Sequence, residues 1–256
     1  PPALAVRELT VRGTRGERRV DRVSFTVAAG EVLGIAGVEG NGQRELVEAI
    51  AGLRAVERGE LWLGHREVTT LSVRERAQLG LAHIPEDRHR RGLVLDFSVA
   101  DNLILGRQHA FAGAWRLDSE RILANARAKM EQFDIRPRDP LLPARALSGG
   151  NQQKIVIARE MGGDFTVLLA AQPTRGVDVG AIELIHAQLR AARAAGKAIL
   201  LVSAELAEIL ALSDRVAVMY GGRIVALMPR ADASPDTLGP LMTGAGTAPA
   251  VGAGVA

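Results

Sequence analysis

The sequence predicts an α/β fold: a mainly parallel sheet flanked by helices, with an antiparallel β-layer at the start and a helical insert in the middle. Three observations carry this. Buried apolar runs of strand length alternate with segments of helical period. The first two strands alternate apolar and polar residues, as half-buried strands do. A glycine loop marks the switch from one apolar strand into a helix.

Taken in order, residues 4–11 and 20–27 read as the two alternating strands, and 31–37 as a short apolar strand ending in glycines. Residues 43–53 change period, placing Leu46, Ile50 and Leu53 on one helical face. Short strands follow at 61–63 and 81–85. Residues 98–133 read as helical, with Leu123, Ala126, Met130 and Phe133 on one stripe. A helix at 151–161 precedes a buried strand at 166–170. A helix at 181–195 turns Ile182, Ile185, Leu189 and Ala192 inward before a buried strand at 198–202. Gly221-Gly222 between two apolar runs, 216–220 and 223–227, is a hairpin signal. No internal repeat is visible. Residues 244–256 hold only small residues and one proline, the composition of a disordered tail.

The chain has 256 residues, 47% hydrophobic and 24% charged, which excludes a mostly disordered protein. No uncharged apolar run reaches 18 residues, so no spanning helix is expected. The opening Pro1-Pro2-Ala3-Leu4 does not read as a signal peptide. Cysteine is absent, which removes disulfides and thiolate chemistry and suits a cytoplasmic setting. The five histidines are scattered, so no metal site is assigned. Net charge is only +3, and three of the 32 basic residues, Lys129, Lys154 and Lys197, are lysine. The arginines are dispersed and aromatics amount to 3%, so nucleic-acid binding is not expected. Trp62 and Trp115 read as packing residues.

The first glycine loop, Gly37-Val38-Glu39-Gly40-Asn41-Gly42-Gln43-Arg44-Glu45, stands where backbone N–H groups converge on an anion. It matches the glycines of G-x-x-x-x-G-K-[ST] but holds Gln43 for lysine and Arg44 for the hydroxyl residue. A lysine about 4 Å from a phosphate contributes about 4 kcal/mol at an effective dielectric near 20. Taken alone, the loop is equally a plain glycine turn into a helix. Arg44 either reaches a phosphate in the lysine's stead or, more plainly, is an exposed first-turn arginine. The second loop, Leu147-Ser148-Gly149-Gly150-Asn151-Gln152-Gln153, opens a helix with a hydroxyl, two glycines and the helix dipole. By itself it is also an ordinary N-capped helix start.

The order of these loops, followed by Ala171-Gln172-Pro173-Thr174-Arg175-Gly176-Val177-Asp178 and Ser203-Ala204-Glu205, resembles the nucleotide-binding domain of ABC transporters over about residues 4–230. The resemblance implies a P-loop NTPase-like fold, with one domain over 1–243 and a helical subdomain inserted at about 87–162. LSGGNQQ looks like the family's signature loop, which assigns Ser148, Gly149, Gly150, Asn151 and Gln152 to an ATP held by a partner. Gly37, Gly40, Asn41, Gly42, Gln43, Arg44 and Glu45 become a vestigial P-loop. Asp178 takes the D-loop aspartate position. The segment Glu86-Asp87-Arg88-His89-Arg90-Arg91-Gly92 and the absence of a P-loop lysine resemble the second half of a two-domain importer ATPase for sugars or nucleosides. Ala170-Ala171-Gln172-Pro173 and Leu95-Asp96-Phe97-Ser98-Val99 look closest to the purine-nucleoside branch.

The departures shape the expected mechanism. By resemblance, Ala171 replaces the metal-supporting aspartate and Gln172 the general-base glutamate, while Ala204 replaces the switch histidine and Glu86 the Q-loop glutamine. No aromatic lies at 11–16 to stack adenine. Phosphoryl transfer needs positioning and charge stabilisation together, so no catalytic residue is assigned in this half. ATP and Mg2+ are expected only at a site shared with a competent nucleotide-binding half, and none held tightly by this half alone. The implied partners are that half, expected on the same polypeptide, and transmembrane permease subunits. The implied location is peripheral, at the cytoplasmic face of the membrane. Arg88-His89-Arg90-Arg91 either meets a membrane subunit or is a solvated loop. A non-transport ABC-type ATPase and a non-catalytic dimerisation scaffold are the alternatives.

Overall fold

The structure, a computed structural model, describes residues 1–113 and 116–245. Its ten strands form two sheets. The first contains β1 (Leu4–Arg12), β2 (Arg18–Val27), β4 (Arg58–Leu63) and β5 (Arg66–Glu67), antiparallel in the order β2-β1-β4-β5. The second contains β3 (Val32–Ala36), β6 (Leu81–Ile84), β7 (Val167–Ala171), β8 (Ala198–Val202), β9 (Arg215–Tyr220) and β10 (Arg223–Pro229). Its order is β10-β9-β3-β8-β7-β6, parallel throughout except for the β9–β10 hairpin. The helices are α1 (Gln43–Ile50), α2 (Val73–Gln78), α3 (Val99–Ile104), α4 (Ser119–Gln132), α5 (Gly149–Met161), α6 (Val179–Ala194), α7 (Leu206–Leu212) and α8 (Pro235–Met242).

Strand parity builds two cores from one set of residues. On β7, Leu168 and Ala170 face one apolar cluster, while Val167, Leu169 and Ala171 face the other. β8 divides the same way, Ile199 and Leu201 against Ala198, Leu200 and Val202. The first cluster joins the parallel sheet to the helices between β6 and β7. The second fills the space between the two sheets and holds α1. Every residue of β3, β7 and β8 is buried, as expected of strands covered on both faces.

Several expectations change in detail. β1 does not alternate cleanly: Glu8 has φ 45°, and the register shift there exposes both Arg7 and Glu8. α1 ends at Ile50, so Leu53 is exposed, while Leu46 and Ile50 are buried as expected. The segment 98–133 is not continuously helical: α3 stops at Ile104, a 3-10 turn covers Gln108–Phe111, and α4 starts at Ser119. In α4, Leu123 is half-buried against the core as expected, and Ile122 is buried beside it. Ile182 is half-buried, and Ala181 packs inward in its stead. The hairpin turn is as expected, with Gly221 and Gly222 at φ 55° and 80°. Trp62 is half-buried on the first sheet, its Nε1 donating to Glu60 at 2.9 Å. Trp115 and the tail beyond residue 245 lie outside the described residues. Among the described residues, no helix is long and apolar enough to cross a membrane.

Candidate functional site

The carboxyl ends of β3, β7 and β8 open onto one cleft of about 370 Å3. That is where open parallel sheets place ligands. Gly37, Gly42, Gln43, Ala171, Gln172 and Ser203 are among its lining residues, so the chain brings its first glycine loop and its Ala-Gln pair together as the sequence order implied. Glycine is obligatory at Gly42: its φ is 101°, and a Cβ would collide with the backbone carbonyl of Arg19.

The loop is closed by its own side chains. Gln43, in the lysine position, folds back so that its Nε2 donates to the Val38 carbonyl at 3.1 Å. Asn41 Nδ2 donates to the same oxygen at 3.0 Å. Asn41 also accepts from the β9–β10 turn: its Oδ1 from Gly221 N at 2.9 Å and its carbonyl from Gly222 N at 3.0 Å. Arg19 reaches over from β2, donating to the Gly40 carbonyl at 2.8 Å and pairing with Glu45 at 3.3 Å. Arg44 is exposed, as expected, yet not free. Its Nε and terminal N–H donate to the two oxygens of Glu86 at 3.0 and 3.1 Å. Arg175 donates to Glu86 at 2.9 Å and pairs with Glu39 at 3.2 Å.

Three arginines therefore meet three glutamates around the cleft. Arg44's hydrogen bond and charge hold the Glu86 carboxyl below the usual carboxylate range, against the opposing effect of burial. The same pairing raises Arg44. Glu86, whose charge was expected to sit poorly beside a phosphate, is thus neutralised within the chain.

The places expected to support a metal hold none of the needed groups. Ala171 is buried and packs in the apolar cluster between the sheets. Gln172, at φ 48°, donates its N–H to the Val202 carbonyl at 2.7 Å, and its Oε1 accepts from Ala204 N at 3.2 Å. The positions assigned to general base and switch residue are thus neighbours, joined by an amide that cannot usefully take a proton. Magnesium would find no hydroxyl on the loop, and each carboxylate described there already faces an arginine; these residues do not fit the ion. Among the described residues, no group of three or more His, Asp or Glu could hold a metal ion.

The second loop is built differently. Ser148 is exposed at the N-cap of α5. Its Oγ accepts from Asn151 N at 3.4 Å and from Asn151 Nδ2 at 3.0 Å, leaving its O–H proton to offer outward. Gly149 and Gly150 open the helix, whose first N–H groups lack intrahelical partners. Both glycines are packed close. A Cβ on Gly149 would lie 2.8 Å from the Arg88 guanidinium, and one on Gly150 would lie 2.6 Å from Asp178 Oδ2. Asp178 caps α6, accepting from Ala181 N at 2.9 Å.

Two side chains of the assigned loop have partners within the chain. Gln152 does not face outward: it is buried, its amide donates to the Ala144 and Leu147 carbonyls at 3.1 Å, and it meets His89 at 2.7 Å. Asn151 Oδ1 accepts from Arg136 N at 2.8 Å. What the loop offers outward is the Ser148 hydroxyl and the half-buried backbone at Gly149, with Gly150 buried behind them.

Arg88-His89-Arg90-Arg91 is no simple solvated loop either. It forms a short π-helical turn capped by Asp87, whose Oδ1 accepts from His89 N and Arg90 N. Arg88 donates to the Arg175 carbonyl at 2.8 Å, and Arg91 pairs with Glu48 at 2.9 Å. Arg19, Glu39 and Arg175 were missed in the sequence. Each acts on a partner far along the chain, where no local signal exists.

A strand–glycine loop–helix unit at the carboxyl edge of a parallel sheet, facing an antiparallel β-layer and followed by a long helical crossover, defines a nucleotide-binding domain of the P-loop type. The chain belongs to the ABC transporter family, whose model matches residues 20–175. It is 46% identical over 243 residues to the guanosine import ATP-binding protein NupO of Bacillus subtilis (strain 168), covering 94% of this chain and 48% of that protein. It is 44% identical over 253 residues to the glucose import ATP-binding protein TsgD13 of Haloferax volcanii, covering 97% of this chain and 46% of that one. The chain thus spans about half the length of the curated relatives it matches. A dimeric ATP-binding cassette in a post-hydrolysis state, bound to ADP and Pi, superposes with TM-score 0.77 at 20% identity, covering 89% of this chain and 98% of that one. That likeness establishes the fold.

Proposed function

We propose that this chain is the second half of the ATP-binding subunit of an ABC importer, lending its signature loop to an ATP held by a competent partner half while its own cleft does no chemistry. The observation that carries this reading is the contrast between the loops. The cleft is neutralised and lacks a metal-supporting carboxylate, whereas Ser148 stands exposed at a helix N-terminus with its proton free to donate. Ser148, Gly149 and Gly150 would meet the γ-phosphate, Asn151 would brace Ser148, and Asp178 would hold the loop's flank. ATP and Mg2+ would lie in the partner's pocket, and that partner would be the first half of the same polypeptide. Transmembrane permease subunits would hold the pair peripherally at the cytoplasmic face of the membrane. The cassette would occupy 1–243, with the helical subdomain at about 87–162.

Nucleosides are favoured over sugars as cargo, on the 46% identity to a guanosine import protein and the Ala171-Gln172 pair. The import relatives disfavour an ABC ATPase outside transport and a bare scaffold. Ser148→Arg in the full assembly tests the reading. Intrusion of a long side chain at the γ-phosphate should lower ATP turnover by about 100-fold, the size of losing a transition-state donor. Turnover and uptake at the parent level would overturn it. The chain by itself should show no magnesium-dependent ATP hydrolysis.

A further inference from the structure

Glu86 leaves the end of β6 and enters the cleft, where its carboxylate receives both arms of Arg44 and one arm of Arg175. Planar guanidinium groups grip carboxylates and phosphates by the same paired hydrogen bonds. No other acceptor of the Arg44 guanidinium is seen among the described residues. Arg175 is held twice by one short segment: its side chain by Glu86, and its carbonyl by Arg88 at 2.8 Å. The Glu86 side chain is only 19% exposed, although the cleft it enters opens to solvent. An acidic side chain thus sits between two cations at the rim of a glycine loop.

We propose that Glu86 is the resident ligand of its own cleft: its carboxylate holds the place of a phosphate between Arg44 and Arg175, and removing its charge turns the cleft into a magnesium-independent site for polyphosphate anions. This deepens the proposed function, because it rests on the cleft being silent and says what silences it. The loss of the lysine and of the carboxylates explains why nothing is hydrolysed. The self-pairing explains why nothing is held.

The test is isothermal titration of the whole chain with inorganic tripolyphosphate and with ATP, both in EDTA at low salt. Glu86→Gln keeps the side-chain shape and removes the charge. It should bind tripolyphosphate at least about tenfold more tightly than the parent, since the Arg44 guanidinium is released to the anion while Arg175, still paired with Glu39, stands beside it. Adding Arg44→Ala to Glu86→Gln should abolish the gain. A melting curve of Glu86→Gln close to the parent's establishes that the fold is intact. A folded Glu86→Gln with the parent's affinity overturns the proposal, as does a gain that survives Arg44→Ala. The two readings fail separately. A parent chain that binds and hydrolyses Mg-ATP overturns the silent cleft, whereas a silent parent with an equally silent Glu86→Gln overturns only the role of Glu86.

Discussion

The loops before α1 and α5 are made from the same parts and end in opposite states. Each has glycines, an amide side chain near the first turn and the positive end of a helix. Around α1 the amides bond back to the loop's own carbonyl, and arginines and glutamates close on one another. Around α5 the Gln152 amide points inward and holds the loop from behind, while Asn151 donates to the Ser148 oxygen and leaves the serine proton free. A glycine cradle is therefore not a binding site by composition. What decides is whether neighbouring elements spend their polar groups on the cradle or behind it.

The contrast can be broken or sharpened in stages. Gly42→Ala drives a methyl into the Arg19 backbone at a left-handed φ and should cost about 3 kcal/mol or more. Gly149→Ala meets the flexible end of Arg88 and, at 3.2 Å, the Gly176 carbonyl; with alanine's better helix propensity offsetting part of the clash, it should cost about 1 kcal/mol or less. Urea unfolding of the two variants measures the difference, and equal losses would erase it.

Next in size is a pH effect outside both loops. Burial lowers His83 to about 4, from a usual 6.5. Between those values the unfolded chain binds a proton that the native chain refuses, so stability falls as pH drops from 6.5 to 4. The loss should be on the order of 2 kcal/mol, part of it screened by solvent. His83→Gln should flatten this stretch of a pH–stability curve.

A smaller loss, about 1 kcal/mol, is expected for Asp178→Ala, which uncaps α6. If Asp178 also steadies the α5 loop, amide exchange at Gly149 and Gly150 should quicken in the same variant. Smallest is a null result. Gln43→Lys with Arg44→Thr rebuilds the P-loop pattern but leaves Ala171 and Gln172, and it should yield no magnesium-dependent turnover. A measurable rate would show that the carboxylates are dispensable.

The parallel core was legible in the sequence because β3, β7 and β8 are unbroken apolar runs, and such runs need cover on both faces. Both glycine loops were legible because a loop's backbone needs are local. α2, α7 and α8 were not read, although Ser72 and Glu75 form a reciprocal cap that local inspection could have found. The insert was over-read as continuous helix, since Gly106 at φ 82° breaks a pattern that periodicity alone carries across. At the site, the positions where this sequence departs from the family pattern could be read one by one as expectations. The closure of the cleft was not, because Arg19 and Arg175 act on loop residues 21 to 136 positions away, and only the fold places them there.

Asn41 has a further consequence. It is bonded to Gly221 and Gly222, some 180 residues later in the chain. A ribosome delivers the loop's brace long after the loop itself. Until that hairpin emerges, the α1 turn lacks two of the bonds that hold it, so its final shape waits on some 180 further residues.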